Sequence, residues 1–350
     1  PATAPASDPD RRLTLTPVGE VVAGSVRWPD SPEVPGCPSR SWAVSAPEGK
    51  FYVTVGTYAN GTTQPFQLLV SGDQAPRGLP PLAKLLSGDL RTTDRRWVRD
   101  KLNALKRAKG TPFALPLSTQ DIVPVSGAIA ALATILESEC IRTGWFEGLD
   151  GQDTPAPLVA AMASRKEPKT GPDGAMAWYA DIANTTVGDD GMLVVKEAVL
   201  DGVRFPFSVW LAGDFSASYT GLLKCLSLDM RVRDLSWIAA RLKSLVDYSE
   251  AGGQFWAQLP GTDKGALQPS TVAYIARLVL HRYQVLGLLD GRGQPVRQAG
   301  LFVEADQVAV TTTPALIVSG RTCPECQAPA LIKRDGCDHC TTCGHIGACG

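Results

Sequence analysis

The feature that most constrains this chain is an internal duplication. Residues 50–73 read KFYVTVGTYANGTTQPFQLLVSGD, and residues 191–214 read GMLVVKEAVLDGVRFPFSVWLAGD. Gly61, Pro65, Phe66, Gly72 and Asp73 recur as Gly202, Pro206, Phe207, Gly213 and Asp214. A second block follows in each copy, LSGDLRTTDRRW and LSLDMRVRDLSW. There Leu86, Ser87, Asp89, Arg91, Asp94 and Trp97 recur as Leu226, Ser227, Asp229, Arg231, Asp234 and Trp237. The offset slips by one residue between the two blocks. A fold built twice is therefore expected, with a shared surface larger than one copy could bury alone.

Each copy carries the same local signals. Strand-like stretches, Phe51–Tyr58 with Phe66–Ser71 and Met192–Val199 with Phe207–Ala212, flank the turns ANGT and LDGV. Asn-Gly and Asp-Gly supply the positive φ angles of a tight hairpin. Asp94 and Asp234 are placed to N-cap helices whose Trp97, Val98, Leu102 and Leu105, or Trp237, Ile238, Leu242 and Leu245, share one side. Ser126–Arg142 and Ser270–Leu286 read as a third helix in each copy. The expected class is α+β: two tandem copies of a small antiparallel sheet packed by helices, then a C-terminal zinc ribbon. The boundaries read as a disordered N-terminal tail 1–19, first repeat 20–150, linker 151–176, second repeat 177–290, tether 291–322 and cysteine tail 323–350. The stretch GSVRWPDSPEVPG ahead of the first repeat suggests an extra strand and turn.

Within the repeats, the Asp-x-Arg pairs Asp89/Arg91 and Asp229/Arg231 read first as ion pairs or caps fixing an inter-helix turn, and second as an anion or nucleotide site. Trp97 and Trp237 read as core. His281 reads as a packing or surface residue, and Cys140 and Cys225 as inert small hydrophobes. Phosphate-loop, dinucleotide, HExxH and GxSxG signatures are absent. With a net charge of −1 and a pI near 6.4, the chain lacks the basic field that bulk nucleic-acid binding needs. The apolar runs are too short to span a bilayer, there is no secretory signal, and clustered cysteines fit a reducing cytoplasm.

The tail CPECQAPALIKRDGCDHCTTCGHIGACG holds six of the nine cysteines. Two C-x2-C pairs about a dozen residues apart read as a ribbon in which four thiolates close a tetrahedral zinc site. Cys323 and Cys326 form the first pair. The second is Cys340/Cys343, favoured because Gly344 follows it, or Cys337/Cys340. Two thiols remain on either choice. One is Cys349, beside the last residue; the other is Cys337 or Cys343. Two leftover thiols near a chain end suit a dithiol that closes and reopens by exchange.

The tail resembles the C-terminus of class II, adenosylcobalamin-dependent ribonucleotide reductases. FYVTVGTYANGTTQPFQLLVSG, PRGLPPLAKLLSGDLRTTDRRWVRDKLNAL, SRKEPKTGPDG, LSLDMRVRDLSWI and PSTVAYIARLVLHRY resemble the C-terminal region of long bacterial members, which contains the module named for a Thr-Ser-Cys-Pro-Asp motif. That literal motif is absent here. The resemblance implies a part in reducing ribonucleotides to deoxyribonucleotides for DNA synthesis. It implies Cys349 as a redox shuttle, with Cys337 or Cys343 as its partner, passing reducing equivalents to an active-site disulfide. The last two cysteines have five residues between them where the family's arm commonly has four. Further implications are a catalytic barrel, in the same or a separate chain, that binds the adenosylcobalamin, and a thioredoxin-like reductant as partner. With no candidate barrel here, this chain is not expected to be active alone. It reads as a fragment, favoured by the missing initiator Met, or as a companion subunit. The rival reading is a zinc-ribbon module that binds nucleic acid or a protein without redox work; a third is an independent repeat protein that borrowed the domain.

Overall fold

The computed structural model describes residues 13–16, 36–60, 62–92, 94–149, 156–162, 167, 175–200, 203–232, 234–296, 301–304, 324–325, 331–334, 337–340 and 345–349. It is an α+β fold in which one unit occurs twice. The first unit runs β2 (Ser39–Ala46), β3 (Gly49–Asn60), β4 (Thr62–Ser71), α1 (Leu79–Leu90), α2 (Arg95–Lys106), β5 (Phe113–Pro116), β6 (Ile122–Val125) and α3 (Ala128–Arg142). After a short α4 (Pro157–Ala160) the order repeats as β7 (Met176–Asn184), β8 (Asp189–Leu200), β9 (Val203–Asp214), α5 (Tyr219–Asp229), α6 (Leu235–Lys243), β10 (Phe255–Gln258), β11 (Gly265–Gln268) and α7 (Thr271–Val285). Each unit has a three-stranded antiparallel meander and a separate two-stranded hairpin.

The correspondence reaches irregular details. A bulge interrupts the β3–β4 ladder between Gly56 and Thr57, with Phe66 as the extra residue, and another interrupts β8–β9 between Lys196 and Glu197, with the matching Phe207 as the extra residue. Gly72 and Gly213, matched in sequence, adopt φ angles of 124° and 128°, where a side chain is strained. A Cβ on Gly213 would lie 2.4 Å from the Asp190 carbonyl oxygen. The slip in the repeat falls just after these glycines, since five residues separate Gly72 from Gly78 and four separate Gly213 from Ser218. The turns at Gly61 and Asp201–Gly202 lie outside the described residues.

The helix signals act as expected. The Asp94 carboxylate accepts the Trp97 N–H at 3.0 Å, and Asp234 accepts that of Ser236 at 2.9 Å. Ser270 caps α7 through the Ala273 N–H, whereas α3 starts at Gly127 with no side-chain cap. Ser87 and Ser227 explain their own recurrence. Each sits on a helix and bonds both the N–H and the carbonyl of the neighbouring edge strand, Ser87 with Leu68 and Ser227 with Val209. An edge strand's free backbone groups are thereby taken up inside the unit.

Both units drain into one core, where Val53, Leu68, Leu86 and Leu132 pack in a single cluster with Leu193, Val209, Leu226 and Ile275. The interface places equivalent residues against each other. Gly78, ahead of α1, abuts Ser218, ahead of α5, and Trp97 meets Trp237 edge to face with ring centroids 6.1 Å apart. Equivalent positions touch in this way only about a two-fold relation, since a head-to-tail arrangement brings unlike surfaces together.

Three stretches differ from the sequence reading. The first sheet has an edge strand, β2 at Ser39–Ala46, that the sequence reading did not expect, while the strand and turn expected within residues 24–36 lie outside the described residues apart from Gly36. The 151–176 linker contains α4, whose Leu158 and Val159 N–H groups donate to Asp94 at 2.9 and 3.1 Å, and Leu158 packs in a second cluster with Trp97 and Trp237. Inside the tail 1–19, Leu13–Thr16 forms β1, paired antiparallel with β12 (Leu301–Glu304) from the expected tether. Leu13–Thr16 alternates apolar and polar residues in strand fashion, which its Pro-rich flank hides in a compositional reading. Among the described residues no helix is long and apolar enough to cross a membrane.

Candidate functional site: the cysteine tail and the charged centre

The tail is organised on a small three-stranded antiparallel sheet, β13 (Leu331–Arg334), β14 (Cys337–Cys340) and β15 (Ile346–Cys349). Against β13 the ladder of β14 is regular, from Leu331 opposite Cys340 to Arg334 opposite Cys337. Against β15 the register shifts, so that His339 faces Ile346 and Cys337 faces Cys349. The extra residue therefore sits in β15, between Ile346 and Cys349, where Gly347 and Ala348 lie. Cys337 is disulfide-bonded.

Of the expected zinc ligands, Cys340 ends β14, and Cys323, Cys326 and Cys343 lie outside the described residues. Pro324 and Glu325, between the first pair, form an exposed turn. The second pair spans the end of β14 and the connection to β15. Among the described residues no group of three or more His, Cys, Asp or Glu is placed to hold a metal.

Cysteines outside the tail are of a different kind. Cys140 and Cys225 are fully buried free thiols. Burial pushes Cys225 up to about 12 and Cys140 well above the usual thiol range, so neither supplies thiolate near neutrality. Cys37 is half-buried and free, against Gly56.

The second concentration of chemistry is at the two-fold centre. Lys101 and Arg241, at equivalent positions in α2 and α6, are fully buried with Asp89 and Asp229. The Lys101 Nζ donates to Asp89 at 3.0 Å and to Asp229 at 2.8 Å. The Arg241 guanidinium lies 3.1 Å from Asp89 and 3.5 Å from Asp229, and donates to the Leu85 carbonyl. Each Asp also accepts the indole N–H of its own unit's Trp, Trp97 at 3.0 Å and Trp237 at 2.8 Å. Two carboxylates and two cations cancel. Burial works against the Arg241 cation, but Asp89 and Asp229 outweigh it and raise its pKa.

The Asp-x-Arg reading is thus corrected in part. Asp89 and Asp229 do form ion pairs, but with Lys101 and Arg241 across the centre rather than with Arg91 and Arg231. Those arginines leave the cluster and line two surface grooves. The signal that identifies the true partners was present: a basic residue follows each repeated Trp by four positions, one helical turn on. Sequence reasoning also missed Arg77, which crosses between units. It grips Asp189 with two bonds of 2.9 and 3.0 Å, pairs with Glu250, and lies 5.5 Å from the Tyr219 ring centroid.

Comparison with protein families, with curated proteins and with solved structures finds no match for this chain.

Proposed function

We propose that this chain is the C-terminal portion of a cobalamin-dependent ribonucleotide reductase, in which Cys337 and Cys349 relay reducing equivalents to a disulfide in the catalytic part. The observation that carries the reading is the β14–β15 register, which sets Cys337 opposite Cys349, together with the disulfide already on Cys337. Directly paired residues of antiparallel strands have Cα atoms roughly 4.5–5.5 Å apart, within the span a disulfide needs. With Cys337 set opposite Cys349, Cys340 and Cys343 are the pair left for the zinc. A zinc held by Cys323, Cys326, Cys340 and Cys343 would lock the ribbon, leaving Cys337 and Cys349 for exchange.

The exchange balances. One thiolate of the reduced pair attacks a sulfur of the target disulfide, giving a mixed disulfide and releasing one target thiolate. The second tail thiolate then attacks its tail partner's sulfur and releases the other. Two electrons pass to the target, and the tail is left as the Cys337–Cys349 disulfide for a thioredoxin-like dithiol to reduce. Tethering raises the local concentration of the dithiol to roughly millimolar. The duplicated domain serves as the docking platform.

In the assembled enzyme, Cys349→Ser is expected to abolish turnover driven by thioredoxin while sparing turnover driven by a small dithiol. Unchanged turnover with thioredoxin overturns the assignment. Thiol titration with zinc retained separates it from a ribbon that only binds partners: two rapidly and reversibly oxidised thiols support the relay, and none removes it.

A further inference from the structure

Two grooves flank the two-fold centre at equivalent places, each beside an edge strand and the helix that covers it. The groove beside β4 and α1 has a volume near 650 Å³, and the groove beside β9 and α5 near 800 Å³. Lys84 and Arg91 line the first; their equivalents Lys224 and Arg231 line the second. Each groove also receives a cation from the opposite unit, and here they differ. In the first it is Arg241, already committed to Asp89 and Asp229. In the second it is Arg107, at the end of α2. The position equivalent to Arg107 is Asp247, which is paired with Arg277.

The β9 groove thus holds three cations against one carboxylate among the described residues, Glu167. Glu167 already accepts the Lys196 ammonium at 3.1 Å. The side chains of Lys224, half-buried, and Arg107, exposed, make no hydrogen bond or ion pair among the described residues. Burial and the nearby Arg107 charge both lower the Lys224 pKa. Arg231 is buried and donates its Nε–H to the Phe207 carbonyl at 3.4 Å; burial lowers its pKa, and the Glu167 charge offsets only part of that. Like charges gathered in a concave site repel one another, and an incoming dianion removes that cost. The same groove is lined by Trp210, 39% exposed, and by Phe215. A flat aromatic surface beside gathered cations matches a ligand with a ring at one end and phosphates at the other. The volume is in the range of small-ligand sites, about 300–1,000 Å³. With a net charge of −1, the chain has no field to gather a polynucleotide.

We propose that the groove between β9, α5 and the end of α2 binds a nucleoside di- or triphosphate, with Arg107, Lys224 and Arg231 on the phosphates and Trp210 against the base. The inference goes beyond the redox relay and does not depend on the tail thiols.

The test is calorimetric titration of the full chain with ADP, ATP, adenosine, pyrophosphate and a short single-stranded oligonucleotide. ADP or ATP is expected to bind, more weakly as salt rises, and adenosine not to bind. Lys224→Gln or Arg107→Gln should each weaken ADP by about tenfold or more, with the thermal midpoint unchanged. Trp210→Ala should bring ADP down to the affinity of pyrophosphate. Lys84→Gln, in the equivalent groove, should change nothing. The proposal fails if neither nucleotide binds by about 1 mM, if Lys84→Gln costs as much as Lys224→Gln, or if adenosine binds as well as ADP. It also fails if the oligonucleotide outcompetes ADP through the same residues. The measurement needs neither the catalytic part nor a reduced tail, so its failure is separate from failure of the relay.

Discussion

The two units agree at the axis and disagree away from it. At the axis, Asp89 answers Asp229, Trp97 answers Trp237, and Lys101 answers Arg241 with a cation in either case. Away from it, the ion pair from the last helix changes both its charge and the strand that it reaches. In the first unit Glu139 on α3 receives Arg40 from β2, while in the second Arg282 on α7 grips Glu197 on β8. Arg77 crosses to the second unit, and its equivalent is Ala217. The difference is one of coupling. An axial residue touches both units, so changing it alters both environments together. Glu139 and Arg282 answer only to their own units, so both the charge and the strand that supplies its partner can change there without disturbing the other unit.

The most severe break of that comparison is Lys101→Met. It leaves Asp89 and Asp229 facing Arg241 alone, with a net buried charge, and should cost about 3–5 kcal/mol of stability by denaturant unfolding. Adding Asp89→Asn to that variant should restore part of the loss, since the excess charge is removed. A smaller effect is expected from Arg77→Ala, about 2 kcal/mol, because Asp189 is only 3% exposed and loses a bidentate partner while Arg77 is itself partly solvated. The transition should remain a single one, since the core is shared. Resolved unfolding of the two units would show that Arg77, not the core, couples them.

The smallest effect sharpens the peripheral contrast. Burial works against the Glu139 carboxylate, but Arg142 and Arg40 outweigh it and hold its pKa below the ordinary 4.5. A carboxyl depressed by folding contributes stability in full above its unfolded value and loses it as pH falls through the folded value. Glu139→Gln should therefore flatten the stability curve below about pH 4.5 and leave its shape near neutrality unchanged. Unfolding of both proteins at a series of pH values reads this directly.

What sequence could supply followed from local chemistry. The hairpins of β3–β4 and β8–β9, the Asp caps and the buried Trp pair all announce themselves within a few residues. β7 does not, because Met176 and Tyr179 are exposed apolar residues that blur its alternation. The hairpins β5–β6 and β10–β11 have strands of only four residues each, and Pro116 and Pro124 lie within the first. The charged centre was half legible. Asp89 and Asp229 stood out as repeated, but a nearby Arg was a more obvious partner than a Lys on the following helix. In the tail the spacing gave the metal chemistry but left the partner of Cys349 open. Strand register bears on that choice, and no spacing encodes it.

The meeting of Gly78 with Ser218 has one further consequence. A Cβ on Gly78 would fall 2.4 Å from the Ser218 carbonyl carbon, while the Ser218 hydroxyl accepts the Gly78 N–H at 2.8 Å. One side must be bare for the other to reach across. Two identical chains meeting here would carry the same residue on both sides, either two glycines with no hydroxyl to cap them or two serines in collision. Joining the halves in one polypeptide lets each side of the seam mutate alone. A lock with a distinct key and keyhole can then sit where symmetry would have forced two of one kind.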